Sequence, residues 1–380
     1  MHVIITGGTG LIGTALVQNL LEDGHQVTVL SRSSQKKQSP ALDGANVVGW
    51  DSRTAEGWGH LADGADAIVN LAGAGIADRR WSAERKRQIL ESRVDAGKAV
   101  MEAIRNAKQK PKVLIQSSAV GFYGPSDDRE LSERSSPGSD YLAQVCFEWE
   151  ASTAGAKALG VRRPVIRTGI VLSTKGGALP KMLLPFQFFI GGPLGSGKQY
   201  FPWIHIADEV RAIRFLLESP DADGPYNLAA PNPPTNAEFS KQLGEAMSRP
   251  SLMPVPGFGL KILFGEMSTV LLDGQRGTAE DRTRLRFQLH RSRPRADRRL
   301  AEQEVADDLH TQIPRACAAF GCGRLSSADG QHGQDHAAAD PGAGSPCAGA
   351  GGQRRTDGVH HVDGSPAGAL GGPIRGRSRR

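Results

Sequence analysis

Cysteine is scarce: the 380 residues contain four, and Cys146 alone precedes residue 277. Cys317, Cys322 and Cys347 have neither the paired spacing of a metal-ligand set nor that of a disulfide framework, so no metal site is expected and a stapled secreted fold is excluded. Long hydrophobic runs are also missing. The most apolar stretch, LPKMLLPFQFFIGG at 179–192, is too short and too broken by Pro and Lys to span a bilayer. No charged segment followed by an apolar core opens the chain, so a secretory signal is not expected and the setting reads as cytoplasmic. Acidic excess is absent too, the formal net charge being +6. That charge does not indicate a nucleic-acid partner, because residues 277–380 carry 16 of the 46 Lys and Arg against 12 of the 40 Asp and Glu, and so hold four of the six net charges.

The same terminal stretch lacks lysine altogether, the last being Lys261, and no Tyr or Trp follows Arg276. Arg, Gly, Ala, Pro and His replace them, and no helical or strand period persists. Such a composition cannot bury enough apolar area to offset chain entropy, which predicts disorder over 276–380. An Arg-for-Lys excess with Gly, Ala and Pro is also what a shifted frame in a GC-rich gene would encode.

Before residue 276, buried-type apolar runs (HVIIT, QVTVLSR, ANVVGW, AIVNLAG, KVLIQSS, RRPVIRTGIVL) alternate with amphipathic stretches such as GTALVQNLLEDG and AERKRQILESRVDAGKAVMEAIRNAK. The alternation predicts a doubly wound, mostly parallel α/β sheet. Residues 1–165 are expected to bind a dinucleotide. Residues 166–275 are expected to supply the remaining strands, a substrate or lid region and the start of a small C-terminal domain.

The first strand runs directly into Gly7-Gly8-Thr9-Gly10-Leu11-Ile12-Gly13, with Gly7, Gly10 and Gly13 at three-residue spacing before a helix. Glycine is needed there for the sharp turn, for close approach to a pyrophosphate and for tight helix–sheet packing, while the helix N-terminus offers amide donors. This strand–loop–helix context points to a Rossmann-type nucleotide site. The second strand ends in Ser31-Arg32, where an NAD-specific fold carries an acid, and an arginine suits a 2′-phosphate instead. The expected cofactor is therefore NADP(H), with Lys36 and Lys37 as supplements. Asp51, ending the third strand, is placed either to accept from the adenine amino group or to turn to water.

These residues resemble the extended short-chain dehydrogenase/reductase superfamily, the NAD-dependent epimerases and dehydratases. The resemblance continues through VNLAGAG (69–75), IQSSAVGFYG (115–124), VIRTGIVL (165–172) and WIHIADEV (203–210), and RRWSAERKRQILESRV with DYLAQVCFEWE is similar to an epimerase-like subfamily loosely labelled a cell-division inhibitor. It implies that Leu71, Ala72, Gly73 and Ser117 line the cofactor and that Ser118 and Tyr141 stand at the catalytic Ser and Tyr positions. It also implies a lysine four residues after the tyrosine, to lower the phenol pKa for proton exchange during hydride transfer. Here that position is Val145, and Lys157 lies too far along. Without a neighbouring cation, Tyr141 is expected to keep a pKa near the phenol value of about 10 and to serve at most as a neutral proton donor.

Two functions follow as expectations: an NADP(H)-dependent oxidoreductase or epimerase acting on a small polar substrate, or a non-catalytic NADP(H)-binding sensor that lacks the lysine. Arg167, Lys181, Arg80, Trp81, Trp203 and His205 are candidates for the substrate side, where the cations would suit an anionic ligand; His205, flanked by apolar residues, reads more as structural. Tyr123 reads as a packing residue and Cys146 as a small buried one. GPLGSGKQ (192–199) imitates a phosphate loop but puts Gln199 where the magnesium-binding hydroxyl belongs, with no helix following. Neither nucleic acid nor membrane is an expected partner, and the oligomeric state is left open.

Overall fold

The computed structural model describes residues 1–32 and 40–277. The predicted disorder and frame shift at the C-terminus, and the supplementary roles of Lys36 and Lys37, therefore fall on residues outside the described ones, apart from Arg276 and Gly277.

Seven parallel strands form the central sheet: β1 His2–Thr6, β2 Gln26–Ser31, β3 Asn46–Gly49, β4 Ala67–Asn70, β5 Val113–Ala119, β7 Pro164–Thr168 and β10 Gly224–Leu228. Their spatial order is β10-β7-β5-β4-β1-β2-β3, every adjacent pair running parallel. The chain thus starts mid-sheet, winds out to one edge and returns to build the other. This doubly wound arrangement places a crevice beyond the carboxyl ends of β1 and β4, where winding reverses.

Central strands are buried on both faces, so they read as continuous apolar runs. On one face, Val3, Ile5, Val27, Val29 and Ile115 pack against Leu16, Val17 and Leu20 of α1 (Leu11–Glu22) and Ile213 and Leu216 of α5 (Ile206–Glu218). On the other, Ile4, Ile68 and Leu114 meet Ala96, Val100 and Ile104 of α2 (Ala83–Asn106) and Trp58. Ser82 starts α2 by accepting from the Arg85 amide, and Asp140 starts α3 (Tyr141–Ala151) by accepting from the Leu142 and Ala143 amides.

The RRPVIRTGIVL run is two strands, not one. Gly169 separates β7 from β8 (Ile170–Leu172), which leaves the main sheet to pair with β9 (Trp203–His205). A Cβ at Gly169 would lie 2.6 Å from the Pro202 carbonyl oxygen, so the crossing tolerates no side chain. β10 was not anticipated: its GPYNL sequence contains Gly, Pro and Asn, poor strand formers, and register beside β7 overrides local preference. The 165/166 boundary falls inside β7, and the later segment supplies the rest of β7 and all of β10 to the sheet.

Beyond β10, α6 (Asn236–Met247) begins with a reciprocal capping box between Thr235 and Glu238. It packs on α4 (Leu179–Gln187) through Phe186, Phe239, Leu243 and Met247. Then come α7 (Gly257–Phe264), α8 (Thr269–Leu272) and β11 (Arg276–Gly277), which pairs with β6 (Glu130–Leu131). Phe258, Ile262 and Leu263 of α7 are exposed, as are Phe188, Phe189 and Ile190 after α4. Among the described residues no helix is long and apolar enough to cross a membrane.

Candidate active site

The turn after β1 is shaped by what its glycines exclude. Gly7 has φ +68°, and a Cβ there would lie 2.7 Å from the Leu71 carbonyl oxygen; one on Gly13 would meet the Gly7 carbonyl and Gly8 Cα closer than 3.0 Å. A Cβ on Gly8 would lie 2.7 Å from Val29 Cγ1, and Gly10 is the N-cap of α1 with no side chain capping the helix. The Leu11–Ile12 end of α1 is therefore open to an anion, with partial positive charge from the helix dipole directed at it. Thr9 completes the turn. These features fit a dinucleotide's diphosphate.

A line of buried polar bonds crosses the floor of the crevice. Thr6 Oγ1 donates to Asn70 Oδ1 at 2.7 Å, Asn70 Nδ2 to Gln116 Oε1 at 2.9 Å, and Gln116 Nε2 to the Ser117 carbonyl at 2.7 Å. Thr6 Oγ1 also accepts from the Leu71 and Ala72 amides, which holds the loop after β4 and leaves Gly73 exposed. Ser117 itself is buried in β5.

At the far edge Ser31 is buried and Arg32 is exposed at the end of β2, with no bond to a described residue. Asp51 is exposed and serves its own turn. Oδ1 accepts from the Arg53 and Thr54 amides at 2.8 and 2.9 Å and Oδ2 from the Thr54 hydroxyl, which hold the carboxyl below its ordinary range.

The two expected catalytic hydroxyls are both engaged by the protein, a departure from the sequence expectation. Ser118 is buried and donates to Glu150 Oε1 at 2.7 Å. Glu150 in turn takes a two-pronged contact from Arg167, Nε to Oε1 at 2.9 Å and the second amino group to Oε2 at 3.0 Å. The physical reason is a desolvated carboxylate on α3 that needs donors and finds the hydroxyl on β5. Tyr141 donates to the Lys86 carbonyl at 2.7 Å, stands edge-on to Trp81 with centroids 5.1 Å apart, and has the Lys86 ammonium 4.4 Å over its ring. Burial pushes its phenol up to about 12, with Arg93 pulling down, Glu266 pushing up and Arg85 pulling down. The pKa near 10 expected from sequence is thus too low. Val145, at the lysine position, is buried, and Cys146 is buried with its thiol pushed up to about 11 by burial.

Arg167 and Tyr123 also differ from their expected roles. Arg167 cannot face an anionic ligand: it is buried, its remaining amino group donates to the Tyr123 hydroxyl and the Glu133 carbonyl, and its guanidinium carbon lies 3.5 Å from the Phe122 ring centroid. Tyr123 does more than pack, donating at 2.6 Å to Asn227 Oδ1 on β10. His205 accepts from the Ala207 amide as the N-cap of α5, a structural role, and Trp203 packs partly buried near Phe201. Lys181 and Arg80 are exposed. In the phosphate-loop look-alike, Gln199 donates to the Leu194 and Leu271 carbonyls and β9 follows, not a helix.

Sequence reading missed Arg85 and Arg93, which sit on the inward face of α2. The signal was present: they are eight residues apart with Ile89 midway, so two cations share the stripe that should be apolar. Arg85 donates to the Gly75 carbonyl and to Asp78, and Arg93 to the Ala74 carbonyl. Among the described residues no group of three His, Cys, Asp or Glu side chains could hold a metal ion.

Comparison with known proteins agrees with this geometry. The profile of the NAD dependent epimerase/dehydratase family matches residues 3–229. The epimerase family protein SDR39U1 homolog, chloroplastic, of Arabidopsis thaliana is 45% identical over 280 residues, 73% of this chain and 79% of that protein. Epimerase family protein YfhF of Bacillus subtilis is 38% identical over 277 residues, 73% of this chain and 89% of its own length. Among solved structures, human epimerase family protein SDR39U1 (isoform 2), crystallised with NADPH, superposes with a TM-score of 0.68 at 36% identity, covering 76% of this chain and 95% of that one. With a nucleotide-type glycine turn, a reversing parallel sheet and these relatives, the chain belongs to the NAD dependent epimerase/dehydratase family.

Proposed function

We propose that the chain binds NADP(H) across the carboxyl edge of its sheet and acts as an oxidoreductase or epimerase on a small, polar, anionic substrate in the cytoplasm. The observation that supports this most is the glycine turn joined to an uncapped α1, with an exposed arginine at the end of β2. Gly7, Gly8, Gly10 and the first amides of α1 would hold the diphosphate, Arg32 the 2′-phosphate, and Leu71, Ala72 and Gly73 the length between. The NADPH of the human relative supports the same dinucleotide here. When bound, the cofactor supplies a carbon that exchanges hydride.

The chain's own residues constrain the proton. With its phenol pushed up to about 12, Tyr141 is neutral at physiological pH, so it donates a proton and does not accept one, and it must leave the Lys86 carbonyl to do so. Ser118 has its proton committed to Glu150 and is assigned no reacting oxygen. Exposed Arg80, beside Gly265, supports an anionic substrate.

A second reading, an NADP(H)-binding sensor or regulatory protein without turnover, is favoured by the engagement of both hydroxyls and by the buried valine at the lysine position. Titration with NADPH and NADH, followed by nicotinamide fluorescence, tests the shared part. NADPH should bind more tightly, and Arg32→Ala should remove that preference; equal affinity for both cofactors in the wild type refutes the 2′-phosphate assignment. NADPH oxidation against a panel of carbonyl compounds then separates the readings, since turnover above the protein-free rate is incompatible with the sensor.

A further inference from the structure

The inward face of α2 grips the loop after β4. The Ala74 amide donates to Ser92 Oγ at 3.0 Å, and the Ala74 carbonyl accepts from one amino group of Arg93 at 3.0 Å; the same group donates to the Ile89 carbonyl at 2.9 Å. The Arg93 guanidinium carbon lies 4.9 Å from the Trp149 ring centroid, and a Cβ built on Gly73 would come within 3.0 Å of it. The side chain is therefore fixed by its own helix, by loop 73–74 and by α3. Its Nε and second amino group have no hydrogen-bond partner among the described residues, and the residue stays partly exposed. Held cations are normally matched by acceptors, so a rigid guanidinium with idle donors at the rim of a crevice indicates a ligand.

Topology identifies which part of that ligand. α1 follows β1; Arg32 lies on the β2 side of it, and β4, β5 and α3 lie on the other. A dinucleotide with its diphosphate on α1 and its 2′-phosphate at Arg32 would extend its nicotinamide half over loop 71–75 toward the α3 side. We propose that Arg93 is the cation at the nicotinamide end of the cofactor, in a chain with valine at the lysine position 145, with its free donors meeting the nicotinamide ribose hydroxyls. This inference rests on the NADP(H) reading above. A fixed positive charge there disfavours the cationic ring of NADP⁺ relative to the neutral ring of NADPH, by about tenfold for a unit charge several ångströms away in a partly screened cleft.

The test is the affinity of the full-length chain for NADPH, NADP⁺ and 2′,5′-ADP, which retains the adenosine end and lacks the nicotinamide, in the wild type, Arg93→Gln and Arg93→Lys. The wild type should prefer NADPH to NADP⁺. Arg93→Gln should weaken NADPH about tenfold and abolish that preference while leaving 2′,5′-ADP unchanged, and Arg93→Lys should keep the preference. Equal weakening of all three ligands would make Arg93 a clamp on the loop and overturn the proposal, as would a wild type that binds NADP⁺ and NADPH alike. Should Arg93→Gln fail to fold, Arg93→Lys still decides, because loss of the redox preference with the charge retained also overturns it. A wild type that binds neither NADPH nor 2′,5′-ADP refutes the cofactor reading itself; one that binds 2′,5′-ADP while Arg93→Gln changes nothing refutes this inference alone.

Discussion

Replacing Arg167 with methionine should be among the most damaging single changes away from the glycine turn. Arg167 and Glu150 are 6% and 13% exposed at the side chain and meet through two contacts of 2.9 and 3.0 Å. Methionine fills much of the same volume but leaves Glu150 with the Ser118 hydroxyl, at 2.7 Å, as its nearest compensation, and removes a donor to the Tyr123 hydroxyl. Breaking a buried pair from one side costs about 3–5 kcal/mol, because the surviving charge stays desolvated. For a folded body of this size the melting temperature should fall by roughly 10 °C. Urea denaturation followed by tryptophan fluorescence measures the loss, and Arg167→Met with Glu150→Leu completes a double-mutant cycle. The double variant should recover much of the stability, since an apolar pair of similar volume substitutes well for a buried ion pair. A single-variant cost below about 1 kcal/mol, or strictly additive losses, would refute the claim that the pair is desolvated and coupled.

Glu209 is fully buried on α5, accepts from the Thr168 hydroxyl at 2.8 Å, and is pushed up to about 8 by burial. Its folded pKa lies above the unfolded one, so its contribution is complete below about pH 4.5 and is lost as pH rises through 8, and Glu209→Gln should flatten stability across that window in thermal melts at graded pH. Gly13→Ala forces a Cβ into the Gly7 carbonyl and should destabilise the fold by a few kcal/mol while abolishing NADPH binding, readable by calorimetry of both transitions. In alkaline absorbance titration, Tyr141→Phe should remove a phenol that ionises later than free tyrosine, and a lost step near pH 10 would contradict the burial argument. Val145→Lys should lower stability by about 3 kcal/mol in urea titration, because it buries an ammonium at a packed position of α3.

What sequence made legible follows from how local each signal is. The glycine turn, most of the apolar strands and the long α2 are written in contiguous residues, and the structure realises them close to where the pattern puts them, with the RRPVIRTGIVL run split at Gly169. β10 is not local: GPYNL becomes a strand because β7 offers it a parallel edge. The site divides in the same way. Gly7, Gly10 and Gly13 announce themselves by spacing, whereas the partners of Ser118 and Tyr141 come from elsewhere in the chain: Glu150 is 32 residues from Ser118, and Lys86 is 55 from Tyr141. Hydroxyl burial and acceptor choice are properties of packing, and no motif encodes them. Arg93 stands between these cases, since its place on a helix stripe was readable while its idle donors were not.

The exposed face of α7 bears on how long the protein lasts. Phe258, Ile262 and Leu263 stand in water within one short helix, with Phe188, Phe189 and Ile190 exposed elsewhere on the surface. Contiguous exposed aromatic and aliphatic side chains are what chaperones and quality-control proteases recognise, so abundance in a living cell should be governed by surveillance as much as by folding free energy. Converting Phe258 and Ile262 to serine should lengthen the half-life in a pulse-chase experiment with little change in melting temperature; an unchanged half-life would mean that this face is already shielded in the cell.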